Sequence, residues 1–172
     1  MPKNIVLVGL MGAGKTSVGL CLEQKTGRQF LDSDNIIEKE QGCSISEIFE
    51  KNGEAFFRKL ESEVILRISG YNDKIIATGG GSVQNLQNLE YLRKNGQIFY
   101  LKALPEELYI RIKSQNNRPL LQNENPRGTL KNLLKLREEN YLKADIIIET
   151  SGKSVEDITE EILKVHYDNV KR

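Results

Sequence analysis

The sequence predicts an α/β fold, a parallel sheet of five strands covered by helices on both faces. Three observations carry this expectation. Five short apolar runs rich in β-branched residues alternate with segments of helical period along the chain. The first run, Ile5-Val6-Leu7-Val8, has no polar residue to turn toward water, as in a strand buried on both sides. That run also empties into a glycine-rich turn that opens a helical segment, the strand–loop–helix order of a phosphate-binding unit.

The elements follow in order. Residues 15–26 read as a helix closed by Gly27. Residues 29–31 form a short strand leading into Asp32-Ser33-Asp34, and 36–40 and 45–52 read as helices. A longer helix spans 55–69, with Phe56, Leu60, Val64 and Ile68 on its buried face and Arg58 off that stripe. Residues 74–77 are a strand running into Thr78-Gly79-Gly80-Gly81; 86–94 is a helix stopped by Gly96, and 97–101 the next strand. Pro105 suits the first turn of a helix over 106–113. Residues 114–129 are rich in Asn and Gln and lack an apolar period; a loop this long in a compact domain is usually a lid or disordered, and Pro119 with Leu120-Leu121 argues against complete disorder. A helix over 130–142 and a strand over 146–148 follow. Ser154, with Asp157 three residues on, starts a last helix to about residue 170, with His166 expected on its surface.

A chain of 172 residues with 38% hydrophobic side chains makes one domain with a core that needs no disulfide or structural metal. The 25 basic and 24 acidic residues leave a net charge of +1, which argues against a nucleic-acid coat, an acidic tail or a polybasic membrane-surface protein. A single His excludes a His-rich metal centre. No apolar run approaches the roughly 20 residues of a membrane helix. The start of the chain resembles a signal peptide. Gly9, Gly12, Gly14 and Lys15 interrupt it, so it is expected to belong to the mature fold. Cys21 and Cys43 lack C-x-x-C spacing and read as small hydrophobes in a reducing compartment, the cytoplasm. Neither nucleic acid nor membrane is expected as a partner.

Residues 9–16, Gly-Leu-Met-Gly-Ala-Gly-Lys-Thr, match G-x-x-x-x-G-K-[ST] in full. The small residues Gly12, Ala13 and Gly14 let backbone N–H groups curl around phosphate oxygens, and the helix N-terminus adds partial positive charge. Lys15 would reach the β- and γ-phosphates and the Thr16 hydroxyl a Mg²⁺ ion, with Ser17 beside it. GTPases, transport ATPases and small-molecule kinases share this loop, so the rest of the chain must choose among them.

Asp32 and Asp34 follow the second strand, where ligands of open α/β sheets bind. One carboxylate there can hold Mg²⁺ and another can orient an attacking hydroxyl. Alternatively, Asp34 caps the next helix. Residues 75–78 lack the acidic residue that usually ends a magnesium-binding strand, which favours Asp32 for that duty. Gly79, Gly80 and Gly81 offer backbone N–H groups unobstructed by side chains, or a flexible turn. Arg58, Arg118 and Arg137 suit bidentate recognition of carboxylate or phosphate, although any one alone is more often a solvated surface charge.

As a set, these residues resemble the shikimate kinase family over almost the whole chain. The features carrying the resemblance occur in order: the phosphate loop, Asp32-x-Asp34, Ile48-Phe49…Gly53-Glu54…Phe57-Arg58…Glu61, Thr78-Gly79-Gly80-Gly81, Arg118-Pro119-Leu120-Leu121, and Arg137…Tyr141…Ala144-Asp145. The resemblance implies transfer of the ATP γ-phosphate to the 3-hydroxyl of shikimate, in aromatic amino-acid biosynthesis. It implies a three-layer P-loop kinase fold in a single domain over 1–172, with an acceptor-binding helical region at about 32–61 and a lid at about 114–129. Asp34 would bind the ring hydroxyls and act as base. Arg58 and Arg137 would hold the shikimate carboxylate, and Gly80, between Gly79 and Gly81, would contribute a backbone N–H. Asp32 would place Mg²⁺ beside Thr16, Arg118 would be the lid arginine over the ATP phosphates, and Arg111 and Lys153 would lie on the adenine side. A monomer is expected, with ATP and shikimate as its partners. The residues themselves agree on one point: ATP alone does not need two further arginines, whereas an anionic acceptor does. A kinase of another small hydroxy acid such as gluconate, and a nucleotide-binding relative without activity, remain the alternatives. Three departures from the family pattern stand out, one of them a lid rich in Asn, with Asn116, Asn117, Asn123 and Asn125. Thr16-Ser17 replaces the frequent Ser-Thr, and Glu139 replaces a usual Pro, which predicts a straighter helix behind Arg137.

Overall fold

A computed structural model describes residues 3–113 and 125–170, without the side chains of 169 and 170. Its five strands, β1 (Asn4–Val8), β2 (Phe30–Asp32), β3 (Ile75–Ala77), β4 (Gly96–Lys102) and β5 (Ile146–Glu149), form one parallel sheet in the order β2-β3-β1-β4-β5. Val6 lies in register between Ile76 and Ile98. Every residue of β1 and β3 is buried, so both faces of the sheet centre are covered. Even Asn4, the polar member of β1, is satisfied: its amide donates to Tyr71 O at 2.7 Å and accepts from Lys74 N at 2.8 Å.

Around the sheet lie α1 (Lys15–Thr26), α2 (Ser33–Gln41), α3 (Ile45–Ser69), α4 (Leu86–Asn95), α5 (Pro105–Ile112), α6 (Pro126–Tyr141) and α7 (Val155–Val170), with a 3₁₀ turn at Ser82–Gln84. They pack in pairs, α1 on α7, α3 on α4 and α5 on α6. The chain leaves β1 for β2, returns through β3, and then crosses β1 to reach β4 and β5. The direction of winding thus reverses at β1. The loops after β1, β2 and β3 share the carboxyl edge of the sheet there, the position where open α/β sheets bind ligands.

Four expectations need correction. Gly53, at φ 82 and ψ 172, breaks α3 into two helices, as the separate readings of 45–52 and 55–69 required. The buried stripe of the second part, however, runs Phe57, Glu61, Val64, Ile65 and Ile68; Phe56 is exposed and Leu60 only half-buried. Helix α6 begins four residues early, because Asn125 accepts from Gly128 N at 2.9 Å and Pro126 fits the first helical position. Residues 126–129 are therefore helix rather than lid. Helix α2 likewise starts at Ser33, three residues before the expected position, because it is capped from Asp32.

The fourth correction is His166, which is fully buried, on the same face of α7 as Ile158 and Ile162. Its Nε2 lies 3.1 Å from Arg28 Nη1 and its Nδ1 2.9 Å from Gln97 Oε1. A guanidinium cannot accept, so Nε2 accepts and the proton sits on Nδ1, donated to Gln97. Arg28 is itself held by Asp73 at 2.7 Å. Burial, and secondarily the Arg28 charge, push the His166 pKa down to about 4 from 6.5.

The native state therefore binds fewer protons than the unfolded chain in that window. The stabilisation from His166 is complete above pH 6.5 and is lost as pH falls toward 4. The stability difference between the wild type and His166→Gln should shrink by about 2 kcal/mol from pH 7 to pH 5. Urea unfolding of both proteins at the two pH values measures it. A difference independent of pH would mean that His166 is not held neutral.

Candidate active site: a phosphate loop facing a glycine-lined cradle

The loop after β1 ends at Gly14, whose φ of 96 sets the left-handed turn into α1. No side chain caps α1, so its first N–H groups point into the loop, as an anion site requires. Gly12, at φ 80, lies tight against α5: a Cβ there would stand 2.7 Å from Ile112 Cγ2 and 3.0 Å from Leu108 O. Ala13 is buried and Ser17 exposed on α1. Lys15 Nζ donates to Gly9 O at 2.6 Å and Leu10 O at 3.1 Å, which keeps the ammonium over its own loop.

Asp32 serves two elements at once. Its Oδ1 accepts from Asp34 N at 2.9 Å and caps α2, while Oδ2 lies 3.4 Å from Thr16 Oγ1. The alternative reading of Asp34 as the cap is thereby replaced: Asp32 caps, and the Asp34 side chain turns toward Gly79. A hydroxyl and a carboxylate at the mouth of a phosphate loop are hard oxygen donors. They suit Mg²⁺, which takes one or two protein oxygens and completes its shell with phosphate and water.

The turn after β3 shows what its glycines leave room for. Gly79 N donates to Ser33 Oγ at 3.1 Å. A Cβ on Gly79 would stand 2.6 Å from Asp34 Oδ1 and 2.8 Å from Glu61 Oε1. On Gly81 it would stand 2.6 Å from Arg58 Nη1, and on Gly80 it would lie 3.7 Å from Arg137 Nη1 and 3.5 Å from Met11 N of the phosphate loop. Side chains of α2, α3 and α6 thus converge on this turn, opposite the phosphate loop.

Arg58 pairs with Glu61 Oε2 at 2.9 Å and with Glu54 Oε1 at 3.2 Å. Burial opposes its charge, but Glu61 and Glu54 outweigh burial and hold the guanidinium protonated. Glu61 is 1% exposed, and burial pushes its pKa up to about 7, with Asp34 adding to the rise and Arg58 and Arg137 opposing it. Tyr141 donates from its hydroxyl to Gly80 O and stacks on Tyr100 with ring centres 4.9 Å apart. Burial raises the Tyr141 pKa to about 12, against the influence of Arg137, so it remains a donor. Helix α6 runs unbroken through Glu139, and Arg137, one turn before Tyr141, reaches the cradle.

Arg111 bridges two loops, donating to Thr150 Oγ1 and Thr150 O at 3.2 Å each and to Gly12 O at 3.4 Å. The Lys153 ammonium pairs with Glu161 of α7. Arg118 lies outside the described residues. Cys21 and Cys43 are both free. Among the described residues no helix is long and apolar enough to cross a membrane. Reading the residues one by one gave no role to Ser33, Glu61 or Tyr141. Glu61 carried a usable signal, a charged residue at helical spacing inside the Phe57–Ile68 apolar stripe.

This fold, with a phosphate loop facing a second, charged cradle, defines a P-loop kinase of small molecules. The family model for shikimate kinase matches residues 11–166. A shikimate kinase of Thermodesulfovibrio yellowstonii is 48% identical over 94% of both chains, and one of Caldanaerobacter subterraneus 44% identical over 95% of this chain and 96% of its own. The structure of an Acinetobacter baumannii shikimate kinase in complex with shikimate superposes with a TM-score of 0.93 at 42% identity, covering 97% of this chain and 94% of that one. A gluconokinase from Sinorhizobium meliloti, at TM-score 0.64 and 16% identity, shares the fold alone. The chain belongs to the shikimate kinase family.

The double duty of Asp32 can be separated by substitution. Asn caps as well as Asp, so Asp32→Asn should melt like the wild type yet need a higher Mg²⁺ concentration for half-maximal turnover. Asp32→Ala should show the same metal defect and lose about 1 kcal/mol of stability as well. Wild-type metal dependence in Asp32→Asn would leave that residue as a cap only.

Proposed function

We propose that the protein transfers the γ-phosphoryl group of ATP to the 3-hydroxyl of shikimate, giving shikimate 3-phosphate and ADP for aromatic amino-acid biosynthesis. The observation that carries this reading is the convergence of Asp34, Arg58 and Arg137 on the triple-glycine turn, facing the phosphate loop. A hydroxylated carboxylate supplies an anion that both guanidinium groups can recognise.

The reaction forms a bond between the acceptor oxygen and the γ-phosphorus and breaks the bond from that phosphorus to the β–γ bridging oxygen. Arg58 and Arg137 clamp the carboxylate and aim the ring, so the reacting hydroxyl lies near Asp34. Asp34 orients that hydroxyl and takes its proton. Tyr141, bonded to Gly80 O, fixes the turn so that the Gly80 N–H faces the acceptor. Lys15 exchanges its loop carbonyls for phosphate oxygens and offsets the negative charge growing on the leaving ADP. Thr16 and Asp32 would hold Mg²⁺, which when bound neutralises phosphate charge. Arg111, tied to Gly12 and Thr150, borders the adenine side. Two free cysteines are consistent with a cytoplasmic enzyme.

A coupled ADP-release assay tests the reading: turnover should depend on shikimate and not on gluconate, and the reverse would overturn it. Lys15→Met should lower the rate by roughly 10²-fold or more in a protein that still folds. Gly81→Ala should drive its new methyl group into the Arg58 guanidinium. It should weaken shikimate binding about tenfold, with ATP affinity unchanged. Arg58→Lys and Arg137→Lys should each weaken shikimate binding by about 1.5–3 kcal/mol, again without effect on ATP. Equal losses for both substrates would assign these residues to the nucleotide.

A further inference from the structure

Glu61 is a buried acid in an unusual position. It lies on the apolar stripe of α3 and is 1% exposed. One carboxylate oxygen, Oε2, is paired with Arg58 at 2.9 Å. The other, Oε1, accepts no hydrogen bond from the described residues. That oxygen and Asp34 Oδ1 stand 2.8 and 2.6 Å from the same point above Gly79, so they are no further apart than the sum of those distances. The charged and titratable groups facing Glu61 are Asp34 from α2, Glu54 and Arg58 from α3, and Arg137 and Tyr141 from α6. The turn at Gly79–Gly81 brings no charge. Two carboxylates therefore share this small volume with two guanidinium groups before any acceptor arrives.

A bound carboxylic acid adds a third negative charge and draws on the same two cations. Arg58 then divides its donors between Glu61 and the acceptor, and Glu61 loses part of the countercharge that keeps it ionised. Desolvation by the bound ring acts in the same direction. We propose that Glu61 takes up a proton from solvent on Oε1 when the acceptor carboxylate binds Arg58, so that acceptor binding is coupled to protonation of this one buried side chain. The protonated acid still accepts from Arg58 through Oε2, so the guanidinium keeps its position while the repulsion disappears. Glu61 is thus a positioning residue whose charge state adjusts to the ligand, and it discriminates against uncharged acceptors, which would not draw the proton in. The coupling rests on the reading that shikimate is the acceptor and that its carboxylate meets Arg58.

The free-state pKa of about 7 makes the effect measurable near neutrality. Binding raises that pKa further, so affinity must increase as pH falls through 7. The shikimate carboxylate stays ionised throughout this range. Calorimetric titration of the wild type with shikimate at pH 7, in two buffers of different ionisation enthalpy, should give an uptake of about half a proton per site. Shikimate should bind roughly five- to tenfold more tightly at pH 6 than at pH 8. Glu61→Gln mimics the protonated acid. It should bind with little dependence on pH and without proton uptake. Should that variant fold poorly, infrared difference spectra of the wild type should show a carboxylic-acid C=O band appearing on shikimate addition. Binding without proton uptake in the wild type overturns the coupling alone, as does uptake that persists in Glu61→Gln. Absence of any binding heat removes the shikimate reading, and the coupling with it.

Discussion

Much of the site follows from the burial of one carboxylate. Glu61 occupies a position on α3 that helical spacing assigns to the core, between Phe57 on one side and Val64 and Ile65 on the other. A charge taken out of water there is tolerated only with a close partner, and Arg58 provides it three residues earlier on the same helix. Arg58 is steadied in turn by Glu54, one turn earlier, at the point where Gly53 breaks the helix. The guanidinium is thereby held close against Gly81, where a Cβ would stand 2.6 Å from its Nη1. The absence of a Cβ at Gly79 and at Gly81 thus leaves room for the Asp34 and Glu61 carboxylates and for the Arg58 guanidinium where they stand.

The sheet supplies the second condition. Parallel strands with crossover helices bring the ends of β1, β2 and β3 to one edge, although about sixty residues of sequence separate the phosphate loop from the glycine turn. The two halves differ in electrostatic character. The phosphate loop offers backbone N–H groups, a helix N-terminus and one ammonium; the cradle offers two guanidinium groups offset by carboxylates. Asp32 joins them, since the same carboxylate starts α2, and so positions Asp34, and faces the Thr16 hydroxyl of the phosphate loop. The placement of the Asp34 carboxylate thus depends on a residue that also faces the phosphate loop.

The legibility of these parts in the sequence follows their physics. The phosphate loop is contiguous and its mechanism is local, so residues 9–16 could be read directly, as could the strand alternation. The cradle is assembled from four distant segments, and single residues such as Arg58 or Arg137 carry no signal of their own; the resemblance to a family joined them. Glu61 was obscured by a stripe drawn one residue out of phase. Phe56 and Phe57 are adjacent, and only the break at Gly53 decides which of them faces inward. The cap of α2 went to Asp32 because its backbone is extended and its carboxylate reaches Asp34 N, a choice between two aspartates that spacing leaves open. His166 was read as a surface residue because a lone polar side chain on a terminal helix usually is one. Its place four residues after Ile162 pointed the other way, but its partners Arg28 and Gln97 are remote in sequence.

Two of the buried titratable groups, His166 and Glu61, stand at opposite edges of the sheet and act in opposite senses. His166 contacts Gln97 at the start of β4, and its depressed pKa withdraws stability as pH falls below 6.5. Glu61 contacts the turn after β3. Its raised pKa gives a contribution that is complete below 4.5 and is lost as pH rises through about 7. Between about pH 5 and 7 the two contributions therefore run in opposite directions. The fold thus holds a carboxylate whose pKa lies near neutrality beside the glycine turn and a neutral histidine at the far edge, two groups whose contributions to stability have opposite pH dependence.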